Sequence, residues 1–422
     1  MTDVSDAELE PAPVVETLSA PGAEQETLGT YLHRWWQGIR AGELGSLPIV
    51  VGLVVIAVVF GLLDDTFFEE RNFTNLLLQM AAMATIAIGV VFVLLIGEID
   101  LSVAYVSAVG GVVTALLLRP GDPGWPWWVV VPLALAITTL IGFLHALVIT
   151  KAGVPSFVVT LAGLLVWNGV VLFLTVDFSS AGTIRIQDPT VIGIANDFLS
   201  DAMGWVVAAA VVGTFALSQL QTARSRRAGG LFAKPTSLLA AQVAALAVVT
   251  GAAVWYANRD RGVPKVTLLL AILLAVWSFV ATRLRFGRHV YAVGGNPEAA
   301  RRAGINVDRV RIMVFMISGF MAGIGGILLA SRARSVSTAA GGGNLLLNVI
   351  AAAVIGGTSL FGGTGRVVSA LLGALVIASI ENGMNLLGLP QGTKFIITGL
   401  VLLGAVLVDA ISKHSRASRG IH

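Results

Sequence analysis

Carboxylate, amide and hydroxyl side chains interrupt very apolar stretches at two places in the sequence. The first group consists of Glu98, Asp100 and Ser102, and the second of Glu381, Asn382 and Asn385. Such groups are costly in apolar surroundings unless they face water, a partner or a free backbone group. They could therefore line a hydrated path and bond the hydroxyls of a solute, or they could cap helix ends. Asp100 precedes an apolar run that starts at residue 102, which favours capping for this residue.

Three further polar residues, Thr160, Asn168 and Thr358, lie inside or beside apolar runs. They are weaker candidates for the same path, because Ser and Thr in membrane helices more often bond a neighbouring helix.

Sequence signatures of catalysis are absent from the chain. The glycine-rich run GGTSLFGGTG at 356–365 lacks the following Lys of a G-x-x-x-x-G-K-[ST] phosphate-binding loop. No H-E-x-x-H motif or serine-hydrolase elbow occurs, and the 422 residues contain no cysteine and five histidines. The sequence therefore predicts no enzyme activity, no cofactor and no metal in this chain. At membrane depth, 356–365 is better explained as a break between two helices.

The composition indicates an all-α protein that crosses a membrane many times. Hydrophobic residues make up 56% and charged residues 12%, with a mean hydropathy of +0.87, whereas soluble domains carry roughly 25% charged residues. A run of about 20 apolar residues spans a bilayer as a helix. The predicted spans are 47–63, 75–96, 102–118, 128–150, 155–176, 204–221, 238–257, 266–282, 312–331, 367–387 and 395–411. A shorter apolar segment, 345–357, either crosses the membrane or re-enters it.

The charges in the connections predict the orientation of these spans. Short cytoplasmic loops collect Lys and Arg. The connections 222–237 and 283–311 are basic, whereas 64–70 and 177–201 are mainly acidic. The basic connections are therefore predicted to be cytoplasmic and the acidic ones external. If 345–357 counts as a crossing, both termini lie in the cytoplasm.

The chain divides into three predicted regions. Residues 1–45 are polar and are expected to form a disordered cytoplasmic tail. Residues 46–411 form the membrane domain, and 412–422 form a basic cytoplasmic tail.

The basic connection 283–311 contains the segment GGNPEAARRAGINVDR at 294–309. Pro297 suits the first turn of a helix, residues 298–302 carry charge on one face, and Gly304 would end the helix. The flanking glycines predict a short, stiff helix held by hinges between two membrane helices, which could transmit force from a soluble partner. A solvated positive-inside loop is the alternative for this segment alone.

This segment resembles the E-A-A coupling element of ABC-importer permeases, in the variant of the ribose/xylose/arabinose permease family. Further segments are similar to that family in the same order, so the resemblance covers about residue 48 to 411. They are EIDLS at 98–102, VPSFVVTLAG at 154–163, RGVPKVTLLL at 261–270, VIGGTSLFGGTG at 354–365 and ENGMN at 381–385. The inserted residues around 204–265, and Glu98 ahead of Ile-Asp-Leu-Ser, resemble the D-xylose branch of the family.

The resemblance implies the ABC-importer permease fold, with about ten core membrane elements plus an inserted pair, in a bacterial inner membrane. It implies two permease copies with a path for a monosaccharide such as a pentose between them. It also implies a cytoplasmic ATPase that binds ATP and Mg²⁺, and an extracytoplasmic sugar-binding protein. The residues implied in coupling to the ATPase are Glu298, Ala299, Ala300, Arg301, Arg302 and Gly304.

Two other functions stay open. An ion-coupled secondary transporter would need no partner protein and would depend on Glu98 or Glu381. An ABC permease for a nucleoside or an autoinducer-like molecule would keep the mechanism and change the substrate. In each case membrane lipid surrounds the protein, and no nucleic acid is expected as a partner.

Overall fold

The computed structural model describes residues 47–121, 124–179, 181–229 and 234–417, together with Gly29 and His33. The predicted tail 1–45, apart from those two residues, lies outside the described residues, and so do residues 418–422. Residues 412–417 continue the last helix. The first six residues of the predicted basic tail therefore lie in this helix.

The described residues form a helical bundle with one small two-stranded sheet. The helices are α1 (Leu47–Leu63), α2 (Glu70–Leu95), α3 (Val103–Leu117), α4 (Trp127–Lys151), α5 (Ser156–Asp177), α6 (Pro189–Asn196), α7 (Asp201–Ala228), α8 (Thr236–Ala257), α9 (Lys265–Arg283), α10 (Arg285–Gly295), α11 (Pro297–Arg302), α12 (Val307–Ala333), α13 (Leu345–Ile355), α14 (Val368–Leu386) and α15 (Gln391–Ala417). A 3₁₀ turn at Asp65–Phe68 joins α1 to α2. Strands β1 (Thr183–Arg185) and β2 (Ser335–Ser337) pair antiparallel, with Ile184 opposite Val336.

Each predicted span corresponds to one of these helices, which confirms the all-α polytopic fold. In the described part of the chain, eight helices are long and apolar enough to cross a bilayer, and α1, α3, α13 and the Gln391–Gly404 stretch of α15 are shorter apolar helices. Helices α2 and α12 each begin five residues before the predicted span. Hydropathy marks only the part of a helix that suits hydrocarbon, whereas the helix itself continues into its polar first turns.

Helices α2 and α12 form the centre of the bundle. Every residue from Met80 to Leu95 is buried, and α12 packs against α2, α3 and α4. A helix that is apolar on all faces is one that other helices surround. A polar side chain in this centre is tolerated only where it finds a partner inside the protein.

Glycines bring α12 into backbone contact with its neighbours. A Cβ atom at Gly326 would lie 1.7 Å from the Ser107 carbonyl oxygen of α3, and one at Gly319 would lie 2.2 Å from the Thr138 carbonyl oxygen of α4. Small residues permit such close approach where lipid removes the hydrophobic advantage of burying large ones. The glycine content of α12 is therefore a packing requirement.

The chain between α12 and α14 runs from one end of the bundle to the other. Strand β2 pairs with β1 just beyond the end of α5, whereas Gly363 N–H donates to the Leu95 carbonyl at the end of α2 (2.9 Å). Helix α5 starts beside Ile99, next to the end of α2, so these two contacts lie at opposite ends. Helix α13, at 1.5 Å per residue, covers about 16 Å of the distance. Segment 345–357 thus lies in the part of the chain that connects the two ends of the bundle.

The inserted pair α7–α8 lies at the edge of the bundle. Its helices pack mainly on each other and expose large side chains such as Trp205, Leu217 and Val248. Polar contacts join it to the core near one end, where Arg259 pairs with Glu70 at 3.2 Å. This placement agrees with the prediction that α7 and α8 are an insertion relative to the core helices.

The α12–α3 contact makes the first testable prediction. Gly326→Ala forces a methyl group against the Ser107 carbonyl, so the two backbones must separate, at a cost of about 1–3 kcal/mol. We expect a lower thermal unfolding temperature in detergent, measured by the loss of monodisperse protein on heating. Gly213→Ala is the matched control, because a Cβ atom at Gly213 of α7 meets nothing within 4 Å. Equal melting of the two variants would contradict the packing role of Gly326.

Candidate coupling element and polar clusters

Local sequence signals define both ends of α11. The Asn296 side chain accepts a hydrogen bond from Ala299 N–H at 2.9 Å, and Pro297 occupies the first helical turn. Gly304 follows the helix with φ +82°, a left-handed conformation that glycine adopts without strain. Asn306 then caps α12 by accepting from Arg309 N–H at 2.8 Å. The predicted short helix is therefore present, with a cap at its start and a glycine stop after its end.

The charged face of α11 is open to solvent. Glu298 pairs with Arg301 at 3.2 Å and with Arg302 at 3.5 Å, and all three side chains are more than half exposed. Ala299 is also exposed, whereas Ala300 is buried against the bundle. Exposed ion pairs of this kind contribute little to folding stability. The surface of α11 is thus free to contact another protein, while Ala300 fixes the helix to the bundle.

The predicted glycine hinge before α11 is wrong. Gly294 and Gly295 are the last two residues of α10. A Cβ atom at Gly294 would lie 1.7 Å from the Leu95 carbonyl oxygen. Glycine is therefore needed at 294 for close contact with the end of α2, and α10 and α11 meet the bundle as packed helices.

A glycine-rich loop packs against the same place. This loop, 356–365, separates α13 from α14, as the sequence predicted. Gly363 N–H donates to the Leu95 carbonyl at 2.9 Å, and the Tyr291 hydroxyl donates to the Gly365 carbonyl at 2.9 Å. Burial raises the pKa of the Tyr291 hydroxyl, which keeps it protonated and able to donate. Helix α10, the end of α2 and loop 356–365 therefore form one junction, which we call the coupling junction.

Glu98 lies beside the coupling junction and pairs with Arg311 of α12 at 2.9 Å. Both side chains are largely covered, at 14% and 27% exposure. Removing one partner of a covered ion pair leaves an uncompensated charge, which costs more than the pair contributes. Glu98 thus has a fixed partner in this conformation.

Asp100 accepts hydrogen bonds from three groups inside the bundle. Its Oδ1 accepts from the Ser102 N–H (3.0 Å) and from the Ser102 hydroxyl (2.6 Å), and its Oδ2 accepts from the Ser318 hydroxyl of α12 (2.8 Å). The bond to Ser102 N–H satisfies a backbone donor just before α3, as a capping residue does. Asp100 therefore joins the start of α3 to α12.

His145 of α4 extends this network to α5. The Trp167 indole N–H donates to His145 Nε2 at 3.1 Å, and His145 Nδ1 lies 3.3 Å from the Ser102 hydroxyl. An indole nitrogen can only donate, so Nε2 is the acceptor and Nδ1 carries the ring proton. The hydrogen bonds then run in one direction, from Trp167 through His145 and Ser102 to the Asp100 carboxylate.

The second polar group lies in the last turns of α14, at the end of the helix that is away from the coupling junction. The Asn348 amide of α13 donates to Glu381. Asn382 and Asn72 exchange two amide hydrogen bonds, each of 2.9 Å. Asn385 accepts from Lys394 of α15. Asn382 thus contacts α2, whereas Glu381 contacts α13 and Asn385 contacts α15.

The predicted path residues therefore do not form one continuous line. Glu98, Asp100 and Ser102 lie at the coupling end. Thr160 also lies there, because its hydroxyl donates to the Ile99 carbonyl at 3.3 Å, and Thr358 is buried beside Gly365. The other candidates lie in two places: Asn168 half-buried on α5, and Glu381, Asn382 and Asn385 on α14.

Sequence reasoning missed Arg311, His145, Trp167, Ser318 and Asn348. A single histidine inside an apolar run was a usable signal for His145. The serine and asparagine residues had no distinguishing pattern, because their partners are far away in sequence.

Comparison with known proteins agrees with this architecture. Residues 72–406 match the family model described as branched-chain amino acid transport system / permease component. The xylose transport system permease protein XylH of Escherichia coli (strain K12) is 36% identical over 382 residues, which cover 90% of this chain and 95% of that protein. XylH of Haemophilus influenzae is 35% identical over 374 residues, covering 87% and 97%.

A ribose import permease is also similar. RbsC of Haemophilus influenzae is 30% identical over 362 residues, covering 85% of this chain and 91% of that protein. No solved structure matches the chain. The family-model match begins in α2 and ends in α15, so its range includes the coupling junction and both polar groups. The chain therefore belongs to the family of multi-pass membrane permeases that serve sugar ABC importers.

Proposed function

We propose that this chain is the translocation subunit of an importer for a monosaccharide, with D-xylose as the first substrate to test, and that a separate ATPase drives it. The observation that carries the proposal is the exposed, capped helix α11 beside the coupling junction. Relatives named as xylose and ribose permeases support the choice of sugar. The missing phosphate-binding Lys after 356–365 supports hydrolysis of ATP by another chain.

In this proposal the ATPase binds ATP and Mg²⁺ and holds the exposed face of α11 in a surface groove. Closure of its nucleotide sites displaces α11 and α10 together, because Ala300 and Gly294 pack both helices against the bundle. The ATPase thereby shifts the populations of inward-open and outward-open states, to the extent that it binds them differently. An external binding protein delivers the sugar, and two copies of this chain enclose the path.

Orientation follows from the same proposal. Helix α11 and the basic connections 222–237 and 283–311 face the cytoplasm of a bacterium, and so do both termini. The acidic connections 64–70 and 177–201 face the binding protein. Specificity lies mainly in the binding protein, because a path that held sugar tightly would release it slowly.

Reconstitution separates this function from an ion-coupled one. In sealed vesicles, we expect D-xylose uptake only when the chain is combined with its ATPase, internal ATP and a sugar-loaded binding protein. The control is the purified chain alone under an imposed proton or sodium gradient, which should accumulate no sugar. Accumulation by the chain alone would contradict the proposal. A preference for nucleoside-loaded binding protein would change the substrate and keep the mechanism.

Charge reversal tests the docking role of α11. Glu298→Lys should leave membrane insertion and melting unchanged, because the residue is exposed. Uptake should fall by about tenfold, the equivalent of ~1.4 kcal/mol of docking free energy. Binding-protein-stimulated ATP hydrolysis should fall with it.

A double variant distinguishes a lost partner contact from a lost internal ion pair. Glu298→Arg combined with Arg302→Glu restores opposite charges within α11 but presents a changed surface to the ATPase. We expect the double variant to stay defective. Recovery of uptake would show that the internal pair, and not docking, was responsible.

A further inference from the structure

A cavity of ≈ 380 Å³ lies between the start of α13 and the outer half of α15. Asn344 and Leu347 contribute one wall, and Phe395, Thr398 and Gly399 contribute the other. Its volume lies within the range of small-molecule sites. The cavity is away from the coupling junction, on the side of α13 that leads toward Glu381.

Two kinds of polar group in the cavity lack a partner among the described residues. The Thr398 hydroxyl has no hydrogen-bond partner, although the residue is only 4% exposed. Buried hydroxyls are normally bonded, so an unpartnered one that lines a cavity indicates a ligand. The start of α13 is the second, because Asn344 makes no side-chain cap bond there, so no cap residue satisfies the N–H groups of the first helical turn.

Asn348 continues this polar edge one turn further along α13. Its amide nitrogen donates to Glu381, while its Oδ1 is buried without a partner. Residues four apart lie on the same helix face, so Asn344 and Asn348 form a line from the cavity toward Glu381. A solute that leaves the cavity along α13 therefore meets further acceptors.

The lining indicates the class of ligand. The residues around the cavity carry no charge, which excludes recognition of an ionic group by a counter-charge. Leu347 and Phe395 offer apolar surface, whereas Thr398 and the α13 N–H groups offer a few hydrogen bonds. A neutral molecule with C–H faces and several hydroxyls satisfies both. The small number of polar groups favours brief contact over tight binding.

From this geometry we propose that the cavity between α13 and α15 is a contact site for the monosaccharide during translocation, with Thr398 and the start of α13 bonding sugar hydroxyls. The inference rests on the proposed transport function and adds the place where the sugar touches this chain. Glu381 and Asn348 receive the sugar next, and Asp100 and Ser102 do not contact it.

A pair of glycines on α15 provides one position inside the cavity and a matched control outside it. A Cβ atom at Gly399 or at Gly404 meets nothing within 4 Å, but only Gly399 lines the cavity. In the reconstituted complex, Gly399→Phe should lower D-xylose uptake about tenfold or more, while ATP hydrolysis stimulated by the loaded binding protein stays within about twofold. Gly404→Phe should leave both rates unchanged.

The hydroxyl of Thr398 is tested by an isosteric pair. Thr398→Val keeps the shape and removes the hydroxyl, so uptake should fall by about threefold to tenfold, as expected for one neutral hydrogen bond. Thr398→Ser should restore it. Thr250→Val on α8, whose hydroxyl bonds its own helix at 2.7 Å, is the control and should transport normally.

Each result has a defined meaning. Wild-type uptake by Gly399→Phe would overturn the inference, and so would a joint loss of uptake and stimulated ATP hydrolysis, since that pattern belongs to a coupling defect. If the wild-type complex itself shows no ATP-driven uptake, the proposed function fails and not the assignment of the cavity alone.

Discussion

The architecture depends on close contact between helix backbones. In lipid, apolar side chains gain no hydrophobic free energy by packing against each other, so the helices associate through backbone contact instead. Helix α12 meets this constraint with glycines at the points where α3 and α4 cross it, and Gly326 and Gly319 lie against carbonyl oxygens. The same device appears at the surface, where Gly294 of α10 lies against the carbonyl of Leu95. Close packing at both places lets small displacements pass between helices, because no flexible side chain lies between them to absorb the movement.

Lipid also restricts the buried polar residues, because each of them needs a hydrogen-bond partner inside the protein. Asp100 receives three hydrogen bonds and Glu98 pairs with Arg311, so both carboxylates have partners inside the protein. These residues join α3, α12 and the connection after α2, and act in holding the helices together. Thr398 and Asn348 differ because they keep an unpartnered oxygen beside open space or a half-buried carboxylate.

The sequence predicted the helices well and the partners poorly. Apolar runs of membrane length identify α1 to α5 and α7 to α9 directly, and Pro297 with Gly304 identifies α11, because each signal is local. The pairing of Ser318 with Asp100 joins residues 218 apart, and the pairing of Asn348 with Glu381 joins residues 33 apart. Nothing local marks such partners. The hinge predicted at Gly294 failed for the same reason, since the carbonyl that requires glycine there belongs to a distant helix.

A continuous set of contacts connects the coupling junction to the cavity. Tyr291 of α10 bonds the carbonyl of Gly365, which lies in the loop that follows α13. Helix α13 then packs on α14 through Gly356 and Gly373, where added Cβ atoms would lie within 2 Å of backbone oxygens. Because α13 is only 11 residues long and helical throughout, a displacement at its loop end moves its other end, where the cavity begins. Helix α13 thus connects the coupling junction, where we propose that an ATPase docks, with the cavity that we propose for sugar contact.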